Sequence, residues 1–263
     1  MTTPILWKDH GRQNNLTDDA CIILLHVILL HFSKESGDKL KAQGIDLLIE
    51  IYPRPLFNYI SFWKYLDLYF LERIMNVFIV GLLEYSKLSI FKNEVLKLFI
   101  NHDKKINSLS IPGSFYPNLF SKIEHCFSEL EYFYCDNNIN YNILESVMST
   151  RIKKLELNVK YGYTTNPNIF KLIEAQKNLE VNLIYDIDIV ICNLGLIKIE
   201  ESLIKCADTV QYLRIDWEPI TQFLVNLVSL GLSYVYFGHN NLIQLENLSF
   251  PLLKILKSWR HFI

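Results

Sequence analysis

The 263-residue chain has no surplus of either charge: 26 Lys+Arg stand against 28 Asp+Glu, a formal net charge of −2. Dedicated nucleic-acid binders carry a basic excess, so that class loses its usual signature. The opening Met1-Thr2-Thr3-Pro4 lacks the basic start and apolar stretch of a secretory leader. Long apolar runs are missing too. Ala20–Phe32 holds 13 residues and includes His26 and His31, while Leu66–Leu83 is broken by Asp67, Glu72 and Arg73. A bilayer span needs about 20 apolar residues, so both read as buried helices of a soluble protein.

Cysteine is sparse and unpaired in pattern. Cys21, Cys126, Cys135, Cys192 and Cys206 make an odd number, and none forms C-x-x-C. Reduced, buried thiols follow; Cys126 and Cys135 straddle a helix–strand junction, and Cys135, at an apolar frame position, belongs to the core. The sequons at Asn15 and Asn247 are expected to stay unused without a secretory route. Cys21, His26 and His31 recur every five residues, which turns successive side chains about 140° around a helix, so no metal site is expected there.

Catalytic signatures are also lacking. The nine glycines build no nucleophile elbow, dinucleotide fingerprint or phosphate loop. Ser114 follows Gly113 without a visible base. Asp186 with Asp188, Glu200 with Glu201, and Asp18 with Asp19 read as solvated acidic pairs. No enzymatic activity, cofactor or metal is expected. A hydrolase hidden in an α/β fold is the distant alternative, and it would require a nucleophile beside a base in a deep pocket.

What the chain does have is leucine and isoleucine, 41 and 32 residues, in a recurring frame. The frame is apolar, two variable, apolar, one variable, apolar. It occurs at Trp63-Leu66-Leu68, Ile106-Leu109-Ile111, Leu130-Phe133-Cys135 and Ile152-Leu155-Leu157. Later copies are Val210-Leu213-Ile215, Leu227-Leu230-Leu232 and a weak Leu253-Leu256-Ser258, with a degenerate copy at Leu179–Tyr185. From Ile106 the starts lie 24, 22, 27, 31, 17 and 26 residues apart. Most fall in or near the window of about 20–29 residues of leucine-rich repeats.

Alternation within the frame is strand periodicity, and helical spacing follows each strand. Asn166-Pro167 caps a helix carrying Ile169, Leu172 and Ile173. Asn142–Met148, Ile199–Ala207 and the stretch after Pro219 behave alike. The asparagine that ends such a repeat strand appears at Asn138. The expected fold is therefore α/β: an irregular leucine-rich-repeat solenoid, parallel curved sheet inside and helices outside, over 59–263. An ordinary α/β domain whose strands share the frame is the alternative. Residues 1–58 read as a helical N-terminal segment. Thr17 caps a helix to about Ser33, a turn at Glu35-Ser36-Gly37-Asp38 follows, then a second helix over Lys39–Glu50, with Pro53 and Pro55 breaking the pattern.

Several segments carry a family resemblance. They are Thr209–Pro219, Arg54–Trp63, Phe127–Tyr132, Ile169–Leu179 and Pro251–Lys257. Together they resemble a large fungal family of F-box proteins with leucine-rich repeats, over nearly the whole chain. The resemblance implies a substrate-recognition subunit of a cullin-type ubiquitin ligase, acting by binding in the cytoplasm or nucleus. It implies a Skp-family adaptor as one partner. Pro4–Asp9 resembles the tail of the family's F-box, so Ile5, Leu6 and Trp7 are the adaptor-binding remnant. The rest of that F-box is missing upstream, and no polar capping repeat follows Trp259–Ile263. A stand-alone interaction module, or a truncated paralogue unable to bind the adaptor, is the alternative.

In a solenoid the variable positions of the frame project from the sheet, where a target protein binds. They include Asn107, Ser108, Ser110, Glu131, Lys153, Glu156, Gln211, Ser229 and Lys257. Tyrosine and arginine are typical interface anchors. Tyr132, Tyr134, Lys154, Tyr212 and Arg214 are thus the expected target-binding row; the same residues would also suit a plain solvated sheet face. Trp217 reads as a packing residue.

Overall fold

The computed structural model describes residues 17–45, 55–79, 84–101, 104–113, 124–148, 151–160, 165–177 and 179–185, and the backbone of 212–215, 229–233 and 255–259. The chain divides into two compact units, one of Met1–Ser110 with Tyr116–Glu129, the other of Ile111–Phe115 with Leu130–Ile263. Within the first unit the N-terminal helices pack on helices that follow residue 59.

The first unit opens with α1 (Asp18–Leu29) and α2 (Lys34–Ala42). Thr17 accepts the Ala20 N–H and caps α1, with Asp18 and Asp19 in its first turn, where the helix dipole favours them. The expected turn over 35–38 is instead the first turn of α2. Ser33 caps it by accepting the Ser36 N–H at 3.1 Å, and this outweighs the helix-weakening Gly37. The helix stops at Gly44, whose φ of 71° supports a Schellman closure: Ile45 N–H donates to Leu40 and Gly44 N–H to Lys41.

A short β1 (Tyr65–Asp67) runs directly into α3 (Leu68–Ile79), followed by α4 (Tyr85–Phe99) and β2 (Ser108–Ile111). Asp67 accepts the Phe70 N–H and so caps α3. β1 and β2 are parallel, with Leu66 opposite Leu109. α1 packs on α3 and α2 on α4. Their buried stripes include Leu25, Ile28, Leu71, Ile74, Phe91 and Val95, and the Trp63 ring sits 4.8 Å from that of Phe99.

The second unit alternates strand and helix. β3 (Tyr132–Asp136), α5 (Tyr141–Met148), β4 (Lys154–Val159), α6 (Asn168–Ala175) and β5 (Glu180–Tyr185) lead on to β6 (Tyr212–Ile215), β7 (Ser229–Ser233) and β8 (Ile255–Trp259). Each strand pairs in parallel with the next in sequence, from β3 to β8. The fold class is thus α/β, with parallel strands and helices. Each copy of the apolar frame overlaps one of the strands β1 to β8. Its members are buried wherever side chains are described, including Phe133, Cys135, Leu155, Leu157, Val181 and Leu183. Asn166 caps α6 by accepting the Asn168 N–H at 2.9 Å. The expected helices over Ile199–Ala207 and after Pro219 lie outside the described residues, as do Ile5, Leu6, Trp7, Ser114, Asp186, Asp188 and Trp217.

Two burial expectations change. His26 is exposed, its ring nitrogen Nδ1 2.9 Å from the Ile22 carbonyl, because position 26 falls on the outer face of α1. Ser108, expected to project, is buried at the start of β2.

Candidate partner-binding face

Strand alternation places odd and even positions of β3–β5 on opposite faces. One face carries the buried frame. The other carries Tyr132 and Tyr134, then Lys154 and Glu156, then Glu180 and Asn182. The register sets these side by side: Tyr132 opposite Lys154 opposite Glu180, and Tyr134 opposite Glu156 opposite Asn182.

Tyr132, Lys154, Glu156, Glu180 and Asn182 form one network. Tyr132 Oη donates to Glu156 Oε2 at 2.5 Å, and Asn182 Nδ2 donates to Glu156 Oε1 at 2.9 Å. Lys154 Nζ lies 3.1 Å from Glu156 Oε1 and 3.2 Å from Glu180 Oε1, and 5.9 Å from the centre of the Tyr132 ring. Burial pushes the Glu156 carboxyl up, but bonds from Tyr132, Asn182 and Lys154 outweigh it and hold the group below its ordinary value. Burial likewise pulls Lys154 down, and its two glutamate partners more than restore it, leaving it raised. Outside this cluster, the exposed Lys153–Glu131 pair at 2.5 Å adds little, since solvent screens it.

Of the five residues expected to bind a partner, Tyr132, Tyr134 and Lys154 share this face. Tyr212 and Arg214 occupy the continuing register positions, opposite Glu180 and Asn182 respectively. Sequence reasoning left Glu156 out of the leading row and missed Glu180 and Asn182 altogether. The signal was present: in the degenerate copy Leu179, Val181 and Leu183 alternate, which puts 180 and 182 on the opposite face.

The C-terminal end of β3 holds a second polar cluster. Asp136 is buried and accepts from the Gly113 N–H, Asn158 Nδ2 and Lys160 Nζ, at 2.9, 2.9 and 2.8 Å. Asn137 lies beside it and accepts the Lys160 N–H at 3.1 Å. Its carbonyl takes the Asn166 N–H at 2.8 Å. Asn137 thus ties the end of β3 to the segments at residues 160 and 166. The expected Asn138 instead lies against Gly113, its Oδ1 buried without a hydrogen-bond partner. The contacts of Asp136 and Asn137 join them to neighbouring segments at residues 113, 158, 160 and 166, so the cluster holds the strand ends in place.

The first unit contains a cavity of about 470 Å³ lined by Ser36, Lys39, Glu94 and Lys97 among others. The buried Glu94 carboxylate takes Lys39 at 2.6 Å, Lys97 at 2.8 Å and Ser36 at 2.9 Å, so the cavity's charges are compensated internally. Burial raises the Glu94 carboxyl, and these partners overcome it, leaving it lowered. Among the described residues no cluster of three His, Cys, Asp or Glu could hold a metal, and no single helix is long and apolar enough to cross a membrane.

No protein-family model matches the chain, and no curated protein matches it at a significant level.

Proposed function

We propose that the chain is a protein-binding subunit built as an irregular leucine-rich-repeat solenoid. Its target lies on the sheet face that carries Tyr132, Tyr134, Lys154, Tyr212 and Arg214. One observation supports this reading above the others: the frame copies overlap strands, and β3 to β8 pair in parallel in sequence order, the order that stacked repeats would give, with the variable positions in rows. A tyrosine backed by a fixed hydrogen-bond network, as Tyr132 is, makes a rigid, amphipathic contact of the kind that anchors interfaces. The resemblance to fungal F-box proteins extends the reading to substrate recognition for a cullin-type ubiquitin ligase, without chemistry of the subunit's own.

The test has two arms. In the first, the full chain is mixed with purified Skp-family adaptor and co-purified; a stable complex supports the ligase role, and no complex removes it. In the second, a photo-crosslinking residue replaces Tyr134, the target is identified by mass spectrometry, and binding is measured directly. Tyr132→Ala and Lys154→Ala should each weaken that binding about tenfold or more. Target binding without adaptor binding favours the stand-alone module. That second reading has its own support, since every residue of the face belongs to the second unit.

A further inference from the structure

Two bases stand against one short turn of the first unit. Tyr59–Phe62 forms a single helical turn, capped where Asn58 accepts the Ser61 N–H at 3.2 Å. Its Ile60 carbonyl accepts both the Trp63 N–H, at 3.1 Å, and the Lys104 ammonium. Its Tyr59 ring meets the His31 ring edge-on, with 6.0 Å between the centres. The turn packs on α4, whose Phe99 ring meets both the Trp63 ring and Lys104.

The buried nitrogens here outnumber their acceptors. Lys104 is 7% exposed, and among the described residues no carboxylate pairs with it. The titratable groups that face it are Lys64, the half-buried His31, and the Cys126 thiol, which donates to the Asn101 carbonyl at 2.7 Å. Lys105 instead donates to Ser128 Oγ and the His125 carbonyl, at 2.5 and 3.2 Å. Trp63 Nε1 and His31 Nε2 are buried without a hydrogen-bond partner. His31 also borders the cavity of Glu35, Lys39, Glu94 and Lys97, whose charges engage one another. An ammonium has three protons to donate, and one carbonyl leaves it poorly satisfied; the neutral amine asks for less. The closed turn therefore favours the amine, and a turn opened to water favours the ammonium.

We propose that Phe57–Trp63 is a proton-operated latch, shut while Lys104 is an amine and opened as Lys104, and then His31, takes up a proton. Opening adds the Trp63 ring to the apolar surface already presented by Leu56 and Phe57, which are 93% and 56% exposed. The latch lies within the first unit and is independent of partner binding on the sheet face. The proton balance sets its direction. Burial pulls Lys104 from 10.5 to about 7, with Cys126 opposing and Lys64 adding. Opening therefore takes up a proton between those values. It becomes about tenfold easier per pH unit as pH falls across that window, and levels off below it. Burial first, and Lys104 second, hold His31 below its ordinary 6.5, so a second rise in opening follows below that pH.

Hydrogen exchange of the full chain, read by mass spectrometry and corrected at each pH for the rate of an unstructured chain, is the test. The amides of 59–63 should exchange about tenfold faster per unit as pH falls from about 9 to 7, and faster again below about 6.5. At neutral pH they should outpace α3 by about tenfold or more. Urea at about 1 M should speed α3 and leave the turn unchanged, because a local opening exposes little surface. Lys104→Met should keep the turn protected and abolish the slope above pH 7. Lys104→Arg, charged at every pH, should leave the turn open throughout; should that variant fail to fold, the methionine variant decides. His31→Gln should lose the acidic rise and keep the alkaline slope. Asp103→Asn, beside Lys104 in sequence and outside the described residues, should alter neither. The proposal is overturned by a wild-type turn without the slope, by the same slope in Lys104→Met, or by a turn that matches α3 in rate and urea response. Loss of the slope in Asp103→Asn overturns it too, by assigning the titration to that carboxylate.

Discussion

Glu156 takes three donors, from Tyr132, Asn182 and Lys154, on a face whose side chains are half-buried and where Asn182 is buried. A carboxylate held below its ordinary value stabilises the folded state above the unfolded value of 4.5 and stops doing so as pH falls through the folded value. Glu156→Gln should therefore cost roughly 1–3 kcal/mol at neutral pH. The gap between wild type and variant should close on acidification, as the wild-type carboxyl protonates. Urea titrations at several pH values check this, and a gap that stays constant to pH 3 would refute it.

Lys104 is a group whose charged form folding disfavours, where Glu156's is favoured. Its ammonium is buried, donates to the Ile60 carbonyl at 2.5 Å and lies 5.0 Å from the centre of the Phe99 ring. Burial pulls it down to about 7; Cys126 opposes and Lys64 adds to that shift. Between pH 7 and the unfolded value of 10.5 the unfolded chain binds more protons than the folded one, so folding becomes more favourable as pH rises. Below pH 7 the destabilisation is complete, on the order of a few kcal/mol. Lys104→Met should flatten the rise in stability between neutral and alkaline pH, even though it leaves the Ile60 carbonyl without this donor. Persistence of the full slope in the variant would place its origin in another group.

At the level of elements, the strands were legible because each one combines a fixed apolar spacing with burial on one face. Phe133, Leu155 and Val181 stand in one register row, and the frame predicts that row. The second N-terminal helix was not legible in the same way. Gly37 and Asp38 look like a turn, and only the Ser33 cap and the Schellman closure at Gly44 reveal that the helix runs through them. Spacing identifies where a strand ends, but not that Asn137 bonds Lys160 and Asn166 while Asn138 packs against Gly113, from a distant part of the sequence. Asn137→Ala should leave the Lys160 N–H without its side-chain acceptor and cost about 1–3 kcal/mol. Asn138→Ala, which removes a buried oxygen that has no partner, should cost less or nothing. Paired thermal melts decide between them, and an Asn138 variant the less stable of the two would reverse the assignment.

At the level of the whole chain, the second unit gains its cohesion from consecutive pairings, since β3 to β8 each meet the next strand in sequence. Stability in such an arrangement is a chain of nearest-neighbour terms, and a weak link acts first on its own neighbours. Leu157 is fully buried in β4, between Cys135 and Leu183 in register. Leu157→Ala should cost about 2–5 kcal/mol, the range for a leucine truncated in a packed core. The loss should be local. Hydrogen exchange ought to accelerate in β3, β4 and β5 and in α5 and α6, while the amides of α1 and α3 in the first unit keep their protection. Equal acceleration in α1 and β4 would mean that the two units unfold as one, and the nearest-neighbour description of the second would then be wrong.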